Sequence, residues 1–98
     1  MISPPPHSEQ TLHAATETLR AIAHPIRMQI IGFLAAEGRS SVKQIHEAFD
    51  IQQPVASHHL RILKDKQIVD AERDGQNTFY RLTKTGFQHI VETVLALV

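Results

Sequence analysis

The residues best suited to reading another molecule lie together between Gln52 and Asp65, in QQPVASHHLRILKD. Gln53, Ser57, His58 and Arg61 recur there at helical spacing and carry short or planar hydrogen-bonding groups. Gln pairs bidentately with adenine, Arg with guanine, and Ser reaches a groove edge or a phosphate. No acid follows until Asp65. Acids would be repelled by a phosphate surface, so this face suits double-stranded DNA better than plain solvation, which favours Glu and Lys. On the other side Ala56, Leu60 and Leu63 fall at i, i+4 and i+7, with Ile62 beside them. That spacing buries a stripe.

Other chemistries find less support. The chain has no cysteine, which removes disulfides, thiolate metal sites, a cysteine nucleophile and thiol redox sensing. There is no phosphate-cradling glycine loop, no HExxH and no carboxylate pair in an evident cleft. No enzyme activity and no cofactor are expected. Of the seven histidines, His89 stands one turn from Glu92, and a dimer could bring two such pairs together as an N/O ligand set for zinc. Such pairs are common on exposed helix faces, and no metal site is expected; His13 and Glu17 read as a solvated pair for the same reason. His24, before Pro25, suits a contact at a helix boundary. His46 falls on an outer helix face, within reach of phosphate. His58 and His59 point about 100 degrees apart and do not readily share a metal. His58 belongs to the reading face, where its cation would tighten DNA binding as pH falls; His59 packs at the margin.

Ninety-eight residues suffice for one domain with one modest core. Ten Lys plus Arg balance ten Asp plus Glu, so charge alone would not hold DNA. Between Gln52 and Lys84 six bases meet four acids, a modest positive footprint of the kind a base-reading protein needs. No apolar run approaches the roughly 20 residues of a membrane span. The sequence MISPPPHSEQ lacks the basic and apolar regions of a signal peptide. The expected location is cytoplasmic, away from membranes. Residues 1–7, with Pro4-Pro5-Pro6, predict a flexible, extended leader. Residues 8–98 are then one DNA-binding and dimerisation domain.

Ser8 can cap a helix reaching Ile22, with Leu12, Ala15, Leu19 and Ile22 in period. Pro25 suits the first position of a second helix, which runs to Glu37 and is apolar nearly all round, as the buried centre of a domain is. Gly38 suits the left-handed position after its end. Ser41-x-x-Gln44 forms a capping box for a short helix, Val42 to Phe49. Asp50-Ile51-Gln52 is a tight link into the Gln52–Asp65 helix, and the two make a helix-turn-helix. The second helix of such a pair enters the major groove.

The period then changes to two. Asp74-Gly75 separates Ile68–Arg73 from Gln76–Leu82, a hairpin signal. A hairpin directly after a recognition helix is a wing. Its tip offers Arg73, Gln76 and Asn77 to phosphate or the minor groove, and Lys43, Lys64 and Arg81 are further phosphate contacts. Phe79, Tyr80 and Leu82 read as packing. Thr83 can cap a last helix, Lys84 to Val98. Its stripe Phe87, Ile90, Val91, Val94, Leu95, Val98 exceeds what so small a core can cover. That stripe, with Leu12 and Leu19 of the first helix, predicts a two-fold dimer interface. The expected fold is mainly α with a small β-hairpin: a winged helix-turn-helix, dimeric through its terminal helices. A dimer serving as a protein-interaction or ligand-binding module, without DNA readout, is the other reading.

Three segments in order carry a resemblance: LRAIAHPIRM at Leu19–Met28, Gln53-x-x-x-Ser57-His58-His59-Leu60-x-x-Leu63, and Arg73-x-Gly75-x-x-x-x-Tyr80. Over Leu19 to Leu82 the chain resembles the ArsR/SmtB family of bacterial winged helix-turn-helix repressors. The resemblance implies a homodimer on an imperfect palindrome in a promoter, blocking transcription until an unidentified small-molecule or protein effector weakens it. It does not extend to the family's usual sensing residues. Ser41-Val42-Lys43 stands where metal-sensing members have a cysteine motif, and Lys84 and Gly86 where others have Asp-x-His. Gln76 replaces the usual wing arginine after the glycine, which implies a weaker phosphate contact.

Overall fold

Ser8 opens the first helix: its Oγ accepts from the Thr11 N–H at 3.1 Å. The computed structural model describes residues 7–98; apart from His7, the expected leader lies outside the described residues. Helix α1 spans Glu9–Ile22 and α2 Pro25–Glu37. Between them His24 turns the chain, its Nδ1 accepting from the Ile26 N–H at 3.1 Å while Pro25 takes the first helical turn. Helix α2 is the centre of the core, with Ile30 and Ile31 fully buried. It ends at Gly38, whose φ is +75° as expected, but whose ψ of −153° is extended rather than left-handed helical. Only glycine tolerates that combination.

The chain next makes a strand that periodicity does not announce: β1, Ser40–Ser41, pairing antiparallel with Tyr80 and Phe79. Ser41 also caps α3, Val42–Ala48, through the expected capping box. Its Oγ accepts from the Gln44 N–H at 3.0 Å, and Gln44 Oε1 accepts from the Ser41 N–H at 2.7 Å.

Helix α4 spans Gln53–Asp65. The turn before it is a helix-end motif. Asp50 N–H bonds to Glu47 O at 3.2 Å and Ile51 N–H to His46 O at 3.0 Å, with Asp50 at φ +52°. These are the two bonds of a Schellman end. The same pair closes α4: Gln67 N–H to Lys64 O and Ile68 N–H to Leu63 O, both at 2.9 Å, with Gln67 at φ +58°.

Strands β2, Val69–Asp74, and β3, Asn77–Leu82, form the expected hairpin. Asp74 pairs with Asn77, so Gly75 and Gln76 are the loop. Gly75 takes φ +64°, the region that primed two-residue turns require. The sheet order is β1-β3-β2. Helix α5 spans Gly86–Ala96, later and shorter than expected, and Thr83 does not cap it. The Thr83 hydroxyl instead donates to the paired carbonyls of Gln67 and Ile68, at 2.7 and 3.1 Å, and so fastens the end of β3 to the exit of α4.

The apolar stripe of α5 divides along its length between two tasks. Val91 is buried, and Phe87 and Ile90 pack against the same core, whereas Val94 and Leu95 are exposed. Val91 therefore offers nothing to a dimer interface: it is covered within its own chain. Leu12 and Leu19 of α1 are exposed. No helix among the described residues is long and apolar enough to cross a membrane.

Candidate nucleic-acid interface

Helix α4 is held from below. Ala56, Leu60 and Leu63 are completely buried against α2, α3 and β2. Each leucine contributes about 1.5–3 kcal/mol. That exceeds what helical propensity adds per residue, and α4 has no side-chain cap at Gln52 to assist it. The outward face is thus fixed by packing and not by loops. On it Gln53, His58 and Arg61 are exposed, and Ser57 is half-buried. The first turn contains no acid.

The wing completes a cleft of about 470 Å³ beside the start of α4. Gln53, Lys43, Arg73, Gln76 and Asn77 all line it. Three separated parts of the sequence are thereby brought to one surface. Arg73 is ordered for this place by its Nε, which donates to the Gly75 carbonyl at 3.0 Å across the turn. His46 also borders the cleft, but it is half-buried, and its Nδ1 lies 3.2 Å from the Ile51 carbonyl. A carbonyl only accepts, so Nδ1 carries the proton and ties the turn, while the residue keeps a half-exposed place at the edge of the cleft. Lys64 is exposed in the last turn of α4, outside the cleft.

Arg81 is not on this surface. Register pairs it with Asp70, and alternation places both on the far side of the hairpin from Arg73. Its guanidinium lies 3.9 Å from Asp70. Glu72 and Asp74 share that side, each about 3.5 Å from Arg39, which covers the Phe79 ring at 3.8 Å. A phosphate approaching there would meet three carboxylates. The expected Arg81 contact is withdrawn on that ground.

His59 does more than pack at a margin. It is 6% exposed, and its Nδ1 lies 3.2 Å from an Arg27 guanidinium nitrogen. The His24 ring stands 4.4 Å away and the His58 ring 5.2 Å away. Burial first, then the charges of His24, Arg27 and His58, hold its pKa below the ordinary histidine range. Helical phase held only part of this signal, since position 59 stands about 40° beyond Leu63, at the edge of the apolar stripe and not within it. His89 and Glu92 are exposed on α5, where Glu92 accepts from Gln88 Nε2 at 3.0 Å.

A helix-turn-helix domain model matches residues 22–70. The HTH-type transcriptional repressor SmtB of Mycobacterium tuberculosis is 39% identical over 93 residues, 95% of this chain and 68% of that protein. The chain belongs to the ArsR/SmtB family. The biofilm growth-associated repressor of Agrobacterium fabrum is 32% identical over 94 residues, 96% of this chain and 80% of that protein. Among solved structures, a homodimeric winged helix-turn-helix DNA-binding domain from Mycobacterium bovis superposes with a TM-score of 0.80 at 26% identity, covering 99% of this chain and 89% of that one. HlyU from Vibrio cholerae gives 0.79 at 27%, covering 92% and 97%. Within the ArsR/SmtB fold α3 and α4 are the helix-turn-helix and β2–β3 the wing. The chain is accordingly a winged helix-turn-helix transcriptional regulator.

Proposed function

We propose that residues 8–98 act in the cytoplasm as a homodimeric repressor that reads an imperfect palindrome in a promoter. Gln53, Ser57, His58 and Arg61 contact bases in the major groove. Arg73, Gln76 and Asn77 work from the wing, and Lys43 and Lys64 hold phosphate. The observation that carries this reading is the acid-free outward face of α4 continuing into the cleft that it shares with the wing. The curated relatives named as repressors and the homodimeric neighbour support it. The chain acts by binding and not by catalysis. A small-molecule or protein effector would release it, without thiol chemistry in a chain that has no cysteine.

The test is selection of DNA from a random-sequence pool, followed by fluorescence anisotropy at two salt concentrations. A palindromic consensus bound at least about 10³-fold more tightly than random DNA is expected. Ser57→Glu with Arg61→Glu should abolish that preference while leaving the circular dichroism unchanged, because neither side chain is in the core. Enrichment of no sequence, or survival of the preference in the double variant, would replace the repressor by the interaction-module reading.

A further inference from the structure

We propose that Arg27 and His59 form a proton-released latch: it ties α4 to the corner between α1 and α2, and protonation of the His59 ring cuts that tie and weakens the helix's hold on DNA. The latch itself stands on the geometry. Its effect on DNA rests on the function proposed above.

Arg27 joins three segments. Its Nε donates to the Ala21 carbonyl and one terminal nitrogen to the Arg20 carbonyl at 3.4 Å, both at the end of α1. Its other terminal nitrogen reaches Nδ1 of His59 in α4 at 3.2 Å. A guanidinium can only donate. Nδ1 must therefore accept, which requires a neutral ring protonated on Nε2. The titratable and charged groups facing that ring are His24 from the helix corner, Arg27 from α2, and His58 from α4 itself. None is an acid, so none would welcome a second cation. The Nδ1 of His24 is likewise engaged as an acceptor, from the Ile26 N–H. A proton arriving at Nδ1 of the buried His59 ring sets donor against donor and cation against cation. The bond to Arg27 cannot survive it. Leu60 and Leu63 keep α4 seated in the core, so what is lost is the helix's tie to the α1–α2 corner and not the helix.

His58 acts in the opposite direction. Its ring is exposed on the reading face, where a positive charge favours phosphate. The two effects must be separated, so the test is made in a His58→Gln background. The ring nitrogens of His59 are followed by NMR from pH 8 to 4.5 in the free protein. The expected neutral form has its proton on Nε2, with a midpoint below the ordinary histidine range. Affinity for the selected DNA is then measured by anisotropy over the same pH range. It should fall as pH passes through the NMR midpoint and level off at the weaker affinity of the unlatched form. His59→Asn keeps an acceptor near the Nδ1 position without titrating, and its affinity should lose this slope. An Nδ1-protonated or already cationic His59 at pH 7.5 would overturn the latch even if no DNA were ever selected. With DNA in hand, an unchanged slope in His59→Asn would overturn its coupling to binding.

Discussion

His58 and His59 are neighbours with opposite chemistry. One ring is exposed; the other is buried beside a guanidinium. The lowered pKa of His59 has a direct consequence for stability. Between the ordinary histidine range and its lower native value, the unfolded chain holds this proton and the folded chain does not. Stability is then complete above the ordinary range, near 6.5, and is lost as pH falls through it toward the native value. Urea unfolding at pH 7.5 and 5.0 should show a larger drop in midpoint for the native chain than for His59→Asn. Equal drops would remove the ring from the account. Arg27→Met should cost about 1.5–3 kcal/mol, the range of a charge-assisted bond. It should also raise the His59 pKa toward its ordinary value, because a donor and a cation leave together; NMR titration of the variant checks this. The sequence discloses the face proposed to read DNA more readily than this pair. Gln53, His58 and Arg61 are spaced along one helix, whereas Arg27 and His59 meet only once α2 and α4 cross. Helical phase puts His59 only at the edge of the buried stripe, and it takes the crossing of α2 to cover the ring.

Elements here were legible where one local rule governed them. The capping box at Ser41, the proline opening of α2 and the Asp-Gly hairpin each depend on a few consecutive residues, and each stands in the structure. Two features depend on distant partners and were not legible. The two-residue strand β1 exists because β3 lies beside it. Thr83 has the composition of a cap, but its hydroxyl is claimed by the carbonyls of Gln67 and Ile68. The ends of α3 and α4 share one motif with different residues at the left-handed position. Asp50 tolerates a positive φ comparatively well, and Gln67 does not. Gln67→Gly should therefore stabilise the chain by about 1 kcal/mol, or roughly 4–8 °C in melting temperature. Asp50→Gly should gain less. Thermal melts of both variants test the order; a lower melting temperature for Gln67→Gly would mean that its side chain makes a contact worth more than the backbone strain.

At the scale of the molecule, the single chain leaves apolar surface on both terminal helices. Leu12 and Leu19 on α1 are 47% and 53% exposed, and Val94 and Leu95 on α5 are 47% and 56% exposed. The core cannot absorb them, because Phe87, Ile90 and Val91 already occupy the place of α5 against α2. A second copy of the chain presents the same helices, so a two-fold axis between them would cover both faces at once. Such pairing would also double the reading face and place two α4 helices about one DNA turn apart. Affinity for a palindrome then comes from two half-sites bound by one linked body, and it should collapse when the link is cut. Leu19→Glu with Leu95→Glu puts charges into both helices without touching the core. Sedimentation equilibrium should find the native chain as a dimer and the variant as a folded monomer. The variant's affinity for the selected palindrome should fall by 10²-fold or more, in the range that linkage confers, with a smaller loss on a single half-site. If the variant remains a dimer, the interface lies elsewhere. A monomer that still binds the palindrome as tightly as the native chain would show that one α4 and one wing suffice, and the two-fold reading would fall.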